Sequence, residues 1–298
     1  MKLIAAPFTP FNQNGSLNLS IIEDYADRLY RDGVSGVFVA GTTGEGMSLT
    51  EEERKRLVEA WRSAASGKLR LFVHVGHSAL ETSIELSRHA QQHGADAIAA
   101  MGPTFFAAPS PLTIAKLGNA MASAAPDLPF FYYHLPSMSR VSHLASDCLS
   151  ALSEKIPNFG GIKFTHDDLV DYQRCVKMAG DQYEIFFGRD ELFLQGLISG
   201  ATSAVGSTYN FAAPLYFGIH KALSAGQFNE ARRLQKLCSD AIMVMLRFGG
   251  LPGIKATLAM RGIDCGAPRL PLESLNNEQK SALRLELEMI GYFDLISK

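Results

Sequence analysis

Val37-Phe38-Val39-Ala40 and, one helical pattern later, Leu71-Phe72-Val73-His74-Val75 bracket the stretch that decides the architecture. Both runs are almost wholly apolar, without the alternation of a half-exposed strand, as expected of strands covered on both faces. Between them Thr50 and Glu53 have the Thr-x-x-Glu spacing of a capping box and open a helix. A strand, a helix and a second strand of this kind form one parallel unit with a right-handed crossover. The same alternation extends in both directions, through runs at 3–6, 97–101, 130–133, 161–164, 184–187 and 202–205, so that eight candidate strands are read. The intervening segments carry apolar stripes at helical spacing, as in Leu19, Ile22, Ala26 and Leu29, and Ser78 with Glu81 gives a second capping signature. Eight such units favour a closed barrel over an open sheet. The expected fold is therefore α/β, a (β/α)₈ or TIM barrel forming a catalytic domain over 1–225. A C-terminal helical extension of the same unit follows over 226–298, where Phe228, Ala231, Leu234, Cys238, Ala241 and Met245 mark a helix before the Gly249-Gly250-Leu251-Pro252-Gly253 break.

Composition narrows the partners. The 298 residues are 47% hydrophobic and 19% charged, enough apolar material for a large core and too little charge for disorder. A formal net charge of −2 supplies no basic field for nucleic acid and no polybasic stretch for anionic lipid, so a small molecule is the expected partner. Cys148, Cys175, Cys238 and Cys265 are scattered without C-x-x-C spacing and are read as reduced thiols of a cytoplasmic protein. No signal-like segment and no apolar run of membrane-spanning length is read in the chain.

In a barrel of this type the active site lies at the C-terminal ends of the strands. The residues there are Gly41-Thr42-Thr43-Gly44-Glu45 after the second run, Tyr133-His134 after the fifth, Lys163 on the sixth, Gly188-Arg189-Asp190-Glu191 after the seventh and Gly206-Ser207-Thr208 after the eighth. On a barrel these converge on one pocket. Lys163 is a lysine inside the apolar strand Gly160-Gly161-Ile162-Lys163-Phe164-Thr165. Burial disfavours an ammonium and frees an amine to attack a carbonyl; the alternative is a lysine whose head pairs with a carboxylate. Tyr133 on the neighbouring strand shifts the balance, because bond cleavage beside an iminium needs a proton relay and a phenol can act as acid and base. Tyr132, of opposite parity, is expected to face the helices.

The Gly41-Thr42-Thr43-Gly44 loop offers close backbone approach, amides and hydroxyls to a carboxylate, and lacks both the lysine of a P-loop and G-x-G-x-x-G spacing. Asp190-Glu191 suits a polyol, or is simply an acidic first helical turn. His89 and His93 share a helix face at i, i+4, but no glutamate follows His89 as in H-E-x-x-H; a solvated face is read and no metal is expected.

Together, Gly41-Thr42-Thr43-Gly44-Glu45-Gly46, His74-Val75-Gly76, Tyr132-Tyr133-His134-Leu135-Pro136, Gly161-Ile162-Lys163-Phe164, Gly188-Arg189-Asp190-Glu191 and Gly206-Ser207-Thr208-Tyr209-Asn210 resemble the N-acetylneuraminate lyase and dihydrodipicolinate synthase superfamily over essentially the full chain. Pro268-Arg269-Leu270-Pro271-Leu272 adds a likeness to its animal-type lyase branch. The resemblance implies reversible cleavage of N-acetylneuraminate, a sialic acid, to N-acetylmannosamine and pyruvate by a homotetramer without a cofactor. It implies Lys163 as the Schiff-base lysine, Tyr133 as the proton shuttle, and Thr42 and Thr43 as the hold on the pyruvyl carboxylate, Thr43 also counted with the catalytic set. Thr165, Gly188, Asp190, Glu191, Gly206 and Ser207 would contact the hydroxylated tail. The synthase branch carries an arginine two residues after the proline of Tyr-x-x-Pro to bind an acidic aldehyde; here Met138 stands in that place. Arg140 replaces a glycine common in the lyases, and Phe105-Phe106 lie where many relatives offer a tyrosine to a neighbouring subunit. The alternatives are another pyruvate-dependent aldolase or dehydratase acting on a different sugar acid, and a non-catalytic barrel that binds 2-oxo acids.

Overall fold

A computed structural model describes residues 1–296. Eight strands, β1 (Lys2–Ala5), β2 (Gly36–Val39), β3 (Arg70–His74), β4 (Ala97–Met101), β5 (Phe130–His134), β6 (Phe159–Phe164), β7 (Glu184–Phe187) and β8 (Ser203–Gly206), close in sequential order into one barrel. Every neighbouring pair is parallel, and β1 pairs with β8 over Lys2↔Ser203 to Ala5↔Gly206. Each strand is followed by a helix: α1 (Ile22–Arg31), α2 (Glu51–Ala65), α3 (Leu80–Gln92), α4 (Pro111–Ser123), α5 (Ala145–Lys155), α6 (Leu169–Ala179), α7 (Phe193–Ile198) and α8 (Tyr209–Ser224). The (β/α)₈ barrel read from the apolar runs is the observed fold, with strand bounds shifted by a residue or two. After α8, the chain continues through α9 (Phe228–Arg247), α10 (Leu251–Met260), α11 (Asn277–Met289) and α12 (Tyr292–Ile296).

Strand parity separates two cores. Ile4, Phe38, Phe72, Ala97, Ala99, Phe131, Tyr133, Phe186 and Val205 fill the barrel interior, while Val37, Val39, Leu71, Val73, Ile98, Tyr132, Ile162 and Phe164 face the helices. Phe72, Phe131 and Phe186 meet with ring centroids 5.3 to 5.6 Å apart and form an aromatic block inside the barrel. Such contacts contribute roughly 0.5–1.5 kcal/mol each beyond the area they bury.

The two capping expectations part ways. At α2, the Thr50 hydroxyl accepts from the Glu53 amide and the Glu53 carboxylate accepts from the Thr50 amide. At α3, no box forms at Ser78. The Ala79 amide donates to His77 Nδ1, the His77 amide donates to the Ser83 hydroxyl, and the helix starts at Leu80. The histidine ring and the serine instead hold the loop one residue to either side of Ser78, and the helix begins two residues after it. Among the described residues no single helix is long and apolar enough to cross a membrane; α9 and α10 approach that composition together but meet at 114°. Cys148, Cys175, Cys238 and Cys265 are all buried and free.

Candidate active site

Among the described residues two lysines are buried, Lys163 and Lys255, and their surroundings differ in kind. Lys255 Nζ lies 2.9 Å from Glu45 Oε1 and also donates to the carbonyl oxygens of Thr9 and Ala267. Among the described residues no carboxylate lies within ion-pair distance of Lys163. Its Nζ instead sits between two ring faces, 3.8 Å from the Tyr133 centroid and 4.3 Å from that of Phe38. The pairing alternative for Lys163 therefore fails. The β5–β6 register places Tyr133 and Lys163 directly opposite, and both have inward parity.

Tyr133 is buried, with its ring edge-on to Phe38 at 5.7 Å and to His74 at 6.1 Å. Its hydroxyl is 3.3 Å from Thr42 Oγ1, so the β2 loop and the β5 phenol form one hydrogen-bonded unit above the amine. Thr43 is buried in the same loop. The Met101 amide donates to His74 Nε2 at 3.2 Å, which leaves the ring proton on Nδ1. Burial, the Arg54 charge and the Lys163 charge all hold His74 well below the usual imidazole range, so it is neutral near the amine.

The loop itself is held in an uncommon conformation. Ala40 and Glu45 have φ of 56° and 55°, a region costly for residues with a side chain. At Gly46 a Cβ would lie 1.8 Å from the Ala40 carbonyl oxygen, so glycine is required for the chain to fold back there. Thr9 Oγ1 donates to the Gly44 carbonyl, and the Arg269 amide donates to Glu45 Oε2 at 2.7 Å.

On the opposite side of the mouth, Thr165 follows β6, Gly188 follows β7 and Asp190 opens the turn before α7. A Cβ at Gly188 would lie 2.1 Å from Thr165 Oγ1, and one at Gly206 would lie 1.9 Å from Asp190 Oδ1, so both glycines make room for a neighbour's polar atom. Asp190 does not project freely into the mouth. Its Oδ2 accepts from the Thr208 amide at 2.9 Å and the Thr208 hydroxyl at 2.7 Å, which pins the turn carrying Ser207. Burial pushes the Asp190 carboxyl up, against the downward pull of those two hydrogen bonds. Glu191 is part-exposed and pairs with Arg189 at 2.9 Å, and Arg189 also meets Asp167 at 2.8 Å. Burial raises the Glu191 carboxyl too.

Not every strand-end residue joins the pocket. His134 has outward parity: it stacks on Phe164 at 5.5 Å on the helix side, and burial lowers it to about 4. It cannot share the Tyr133 pocket, because neighbouring residues of a strand face opposite ways. Tyr132 likewise faces the helices, as expected. Met138 and Arg140 are exposed, and the Arg140 amide ties to the Pro103 carbonyl at 2.7 Å.

The chain that carries this lysine, tyrosine and two-threonine loop is similar in sequence and fold to known proteins. The dihydrodipicolinate synthetase family model matches residues 1–290. This chain belongs to that family. Within the dihydrodipicolinate synthetase family, it is similar to the N-acetylneuraminate lyase of Mus musculus, 37% identical over 97% of this chain and 92% of that protein. The N-acetylneuraminate lyase of Gallus gallus is 38% identical over 98% and 96%. Among solved structures, Proteus mirabilis N-acetylneuraminate lyase superposes with a TM-score of 0.95 at 38% identity, covering 98% of each chain.

Three further groups in this family member support the site. Arg54, buried on α2, donates to the carbonyls of His74 and Gly76 and so fixes the end of β3. Asn210 is fully buried and joins β1 to β8, donating to the Ala6 and Ser207 carbonyls at 2.7 Å each while accepting from Tyr25. Lys255 comes from beyond the barrel and neutralises Glu45 in the threonine loop. Lys255→Met would leave that carboxylate buried and unpaired, and is expected to cost about 3 kcal/mol or more of unfolding free energy. Chemical denaturation measures this, and Glu45→Gln in the same background should recover part of the loss. An unchanged midpoint in Lys255→Met would remove the pair from any supporting role.

Proposed function

We propose that this chain cleaves N-acetylneuraminate reversibly to N-acetylmannosamine and pyruvate as a class I aldolase. The observation that carries the reading is the buried, carboxylate-free amine of Lys163 facing Tyr133. The kinship with N-acetylneuraminate lyases over nearly the whole chain supports the substrate. In this reading Lys163 Nζ adds to the 2-oxo carbon, and loss of water gives an iminium. The carbon–carbon bond next to the iminium's α-carbon then breaks, with its electron pair drawn into an enamine. Tyr133 takes the proton of the carbinol oxygen as that oxygen becomes the aldehyde. Protonation of the enamine and hydrolysis release pyruvate and restore the amine. Thr42 and Thr43 hold the carboxylate through amides and hydroxyls, and the Thr42 hydroxyl continues the proton path from Tyr133.

The tail side is assigned to Thr165, Glu191, Ser207 and the backbone at Gly188, with Asp190 and Gly206 shaping the turn. Thr165 Oγ1 is a buried polar atom without a protein partner, and a polyol supplies a hydroxyl to such a position. Met138 supplies no cation for a second carboxylate, which favours a neutral aldehyde product. Truncating the tail is expected to lower kcat/KM by about tenfold or more, since each polar group left unpaired costs roughly 1–3 kcal/mol. A retro-aldol assay of N-acetylneuraminate against 2-oxo-3-deoxy sugar acids at equal concentration measures it. Preference for the short acid would reject the sialic acid substrate and leave the Lys163 chemistry standing.

Assembly as a homotetramer is part of the proposal. Phe105 and Phe106 lie between β4 and α4, 76% and 79% exposed and packed edge-to-face on each other, an apolar surface suited to a second copy of the chain. Light scattering is expected to give a mass near four times 32.4 kDa. A stable, active monomer would contradict it. A cytoplasmic location is proposed on the same footing as the four free thiols.

A further inference from the structure

Away from the barrel mouth, α2 and α3 bring Glu59, His89 and His93 together, their ligand atoms all within 4.8 Å of one another. We propose that these three side chains form a binding site for a divalent transition-metal ion of the zinc or copper class, clipping α2 to α3.

The imidazoles stack at a centroid distance of 3.9 Å and 22° between planes, one helical turn apart, so both rings present the same edge. His89 Nε2 is 3.0 Å from Glu59 Oε1, and His93 Nε2 is 3.6 Å from that same oxygen. In a tetrahedral site with bonds of about 2.0–2.1 Å, neighbouring donor atoms stand about 3.3 Å apart. The two nitrogen–oxygen separations bracket that value; the stacked rings run nearly parallel, so an ion enters once the imidazoles rotate to bring their Nε2 lone pairs onto one point.

The tautomer of His93 suits the same end. His93 Nδ1 is 3.0 Å from the His89 carbonyl, and since a carbonyl only accepts, Nδ1 carries the proton. Nε2 therefore keeps its lone pair on the Glu59 side, and the backbone carbonyl plays the orienting part that metal-binding histidines regularly receive from an outer hydrogen bond. His89 Nε2 faces a carboxylate, which only accepts, so it carries a proton that moves to Nδ1 or leaves when an ion binds. His89 is buried, so its ring is held by packing, while His93 is half-buried and Glu59 exposed, which leaves a path for the ion and for water ligands.

Charge is favourable. Two neutral imidazoles and one carboxylate oppose a dication, and the cluster lies at the C-terminal end of α3, where the helix dipole favours positive charge. Lys55, a cation that acts on His89, is already engaged by Glu51 at 2.9 Å and Glu85 at 3.5 Å, and Arg62 by Asp96 at 3.5 Å. Imidazole donors select zinc, copper or nickel over magnesium and calcium. The third ligand comes from another helix, so the i, i+4 histidines cannot be recognised as a site from their own segment.

The test is calorimetric titration of tag-free protein with ZnCl₂, together with Cu²⁺ electron paramagnetic resonance, on the wild type and on His93→Ala and Glu59→Gln. Wild type is expected to bind one zinc per chain, with hyperfine structure from two nitrogens in the copper spectrum. His93→Ala is expected to weaken zinc at least tenfold and to remove one nitrogen; Glu59→Gln is expected to weaken zinc at least tenfold and to keep both. No zinc binding by the wild type, or a loss under tenfold in either variant, would overturn the proposal. The added zinc should also raise the thermal midpoint of the wild type and leave that of His93→Ala unmoved.

Discussion

Borohydride added in the presence of pyruvate is expected to attach one three-carbon unit to the chain, at Lys163 and nowhere else. The reasoning starts from what a buried amine can do. A lysine held beside a carboxylate is occupied by it, as Lys255 is by Glu45. Lys163 has no such partner among the described residues; its Nζ meets only ring faces on two sides, inside a barrel whose floor is the Phe72, Phe131 and Phe186 block. An amine so placed condenses with a ketone, water leaves, and hydride delivered to the iminium carbon makes the link a stable secondary amine. Intact-mass and peptide analysis locates the adduct. Its absence, or its appearance on Lys255 or a surface lysine, would overturn the mechanism. Lys163→Ala is expected to abolish turnover outright, because the intermediate itself can no longer form. Lys163→Arg is expected to be just as inactive, since a guanidinium keeps the charge and loses the nucleophile.

Tyr133→Phe is the second large effect, with kcat expected to fall by roughly 10² to 10⁴ while the fold persists. The substitution deletes one hydroxyl. The ring contacts to Phe38 and His74 and the ring face over Lys163 all remain, so packing is nearly conserved. What is lost is the 3.3 Å link to Thr42 and the acid–base group on the ring that faces the amine. Borohydride trapping separates the steps: if Tyr133 serves mainly in bond cleavage, the pyruvate adduct at Lys163 should still form in Tyr133→Phe. Circular dichroism and denaturation guard against a folding defect. A kcat within tenfold of the unsubstituted chain would reduce Tyr133 to an aromatic of the barrel wall.

The residues that decide these two outcomes were readable in one dimension. Strand parity is a period of two, and it sends Tyr133 and Lys163 inward and Tyr132 outward without reference to any distant part of the chain. The same short-range physics set the eight strands nearly to the residue and the Thr50 cap of α2. The parity rule, applied consistently, also turns His134 away from the pocket to which its position beside Tyr133 had assigned it. The Ser78 cap did not form because the loop folds around the His77 ring and the Ser83 hydroxyl and the helix starts only at Leu80, which the folded loop alone decides.

Contacts between remote segments lie beyond such reading. Lys255 reaches Glu45 across 210 residues, Asp190 is drawn to Thr208 instead of the open mouth, and Glu59 completes a cluster with two histidines on another helix. Each is a charge or polar group whose partner comes within reach only when separate elements have packed against one another. The sequence by itself determined the barrel, the inward amine and the phenol opposite it, because local periodicity and the covalent chain dictate which way a side chain points. The tertiary structure alone decided which buried charges are paired, which are left free to react and which hold the loops in place, because pairing energy depends on distance in space and the chain order carries no record of it.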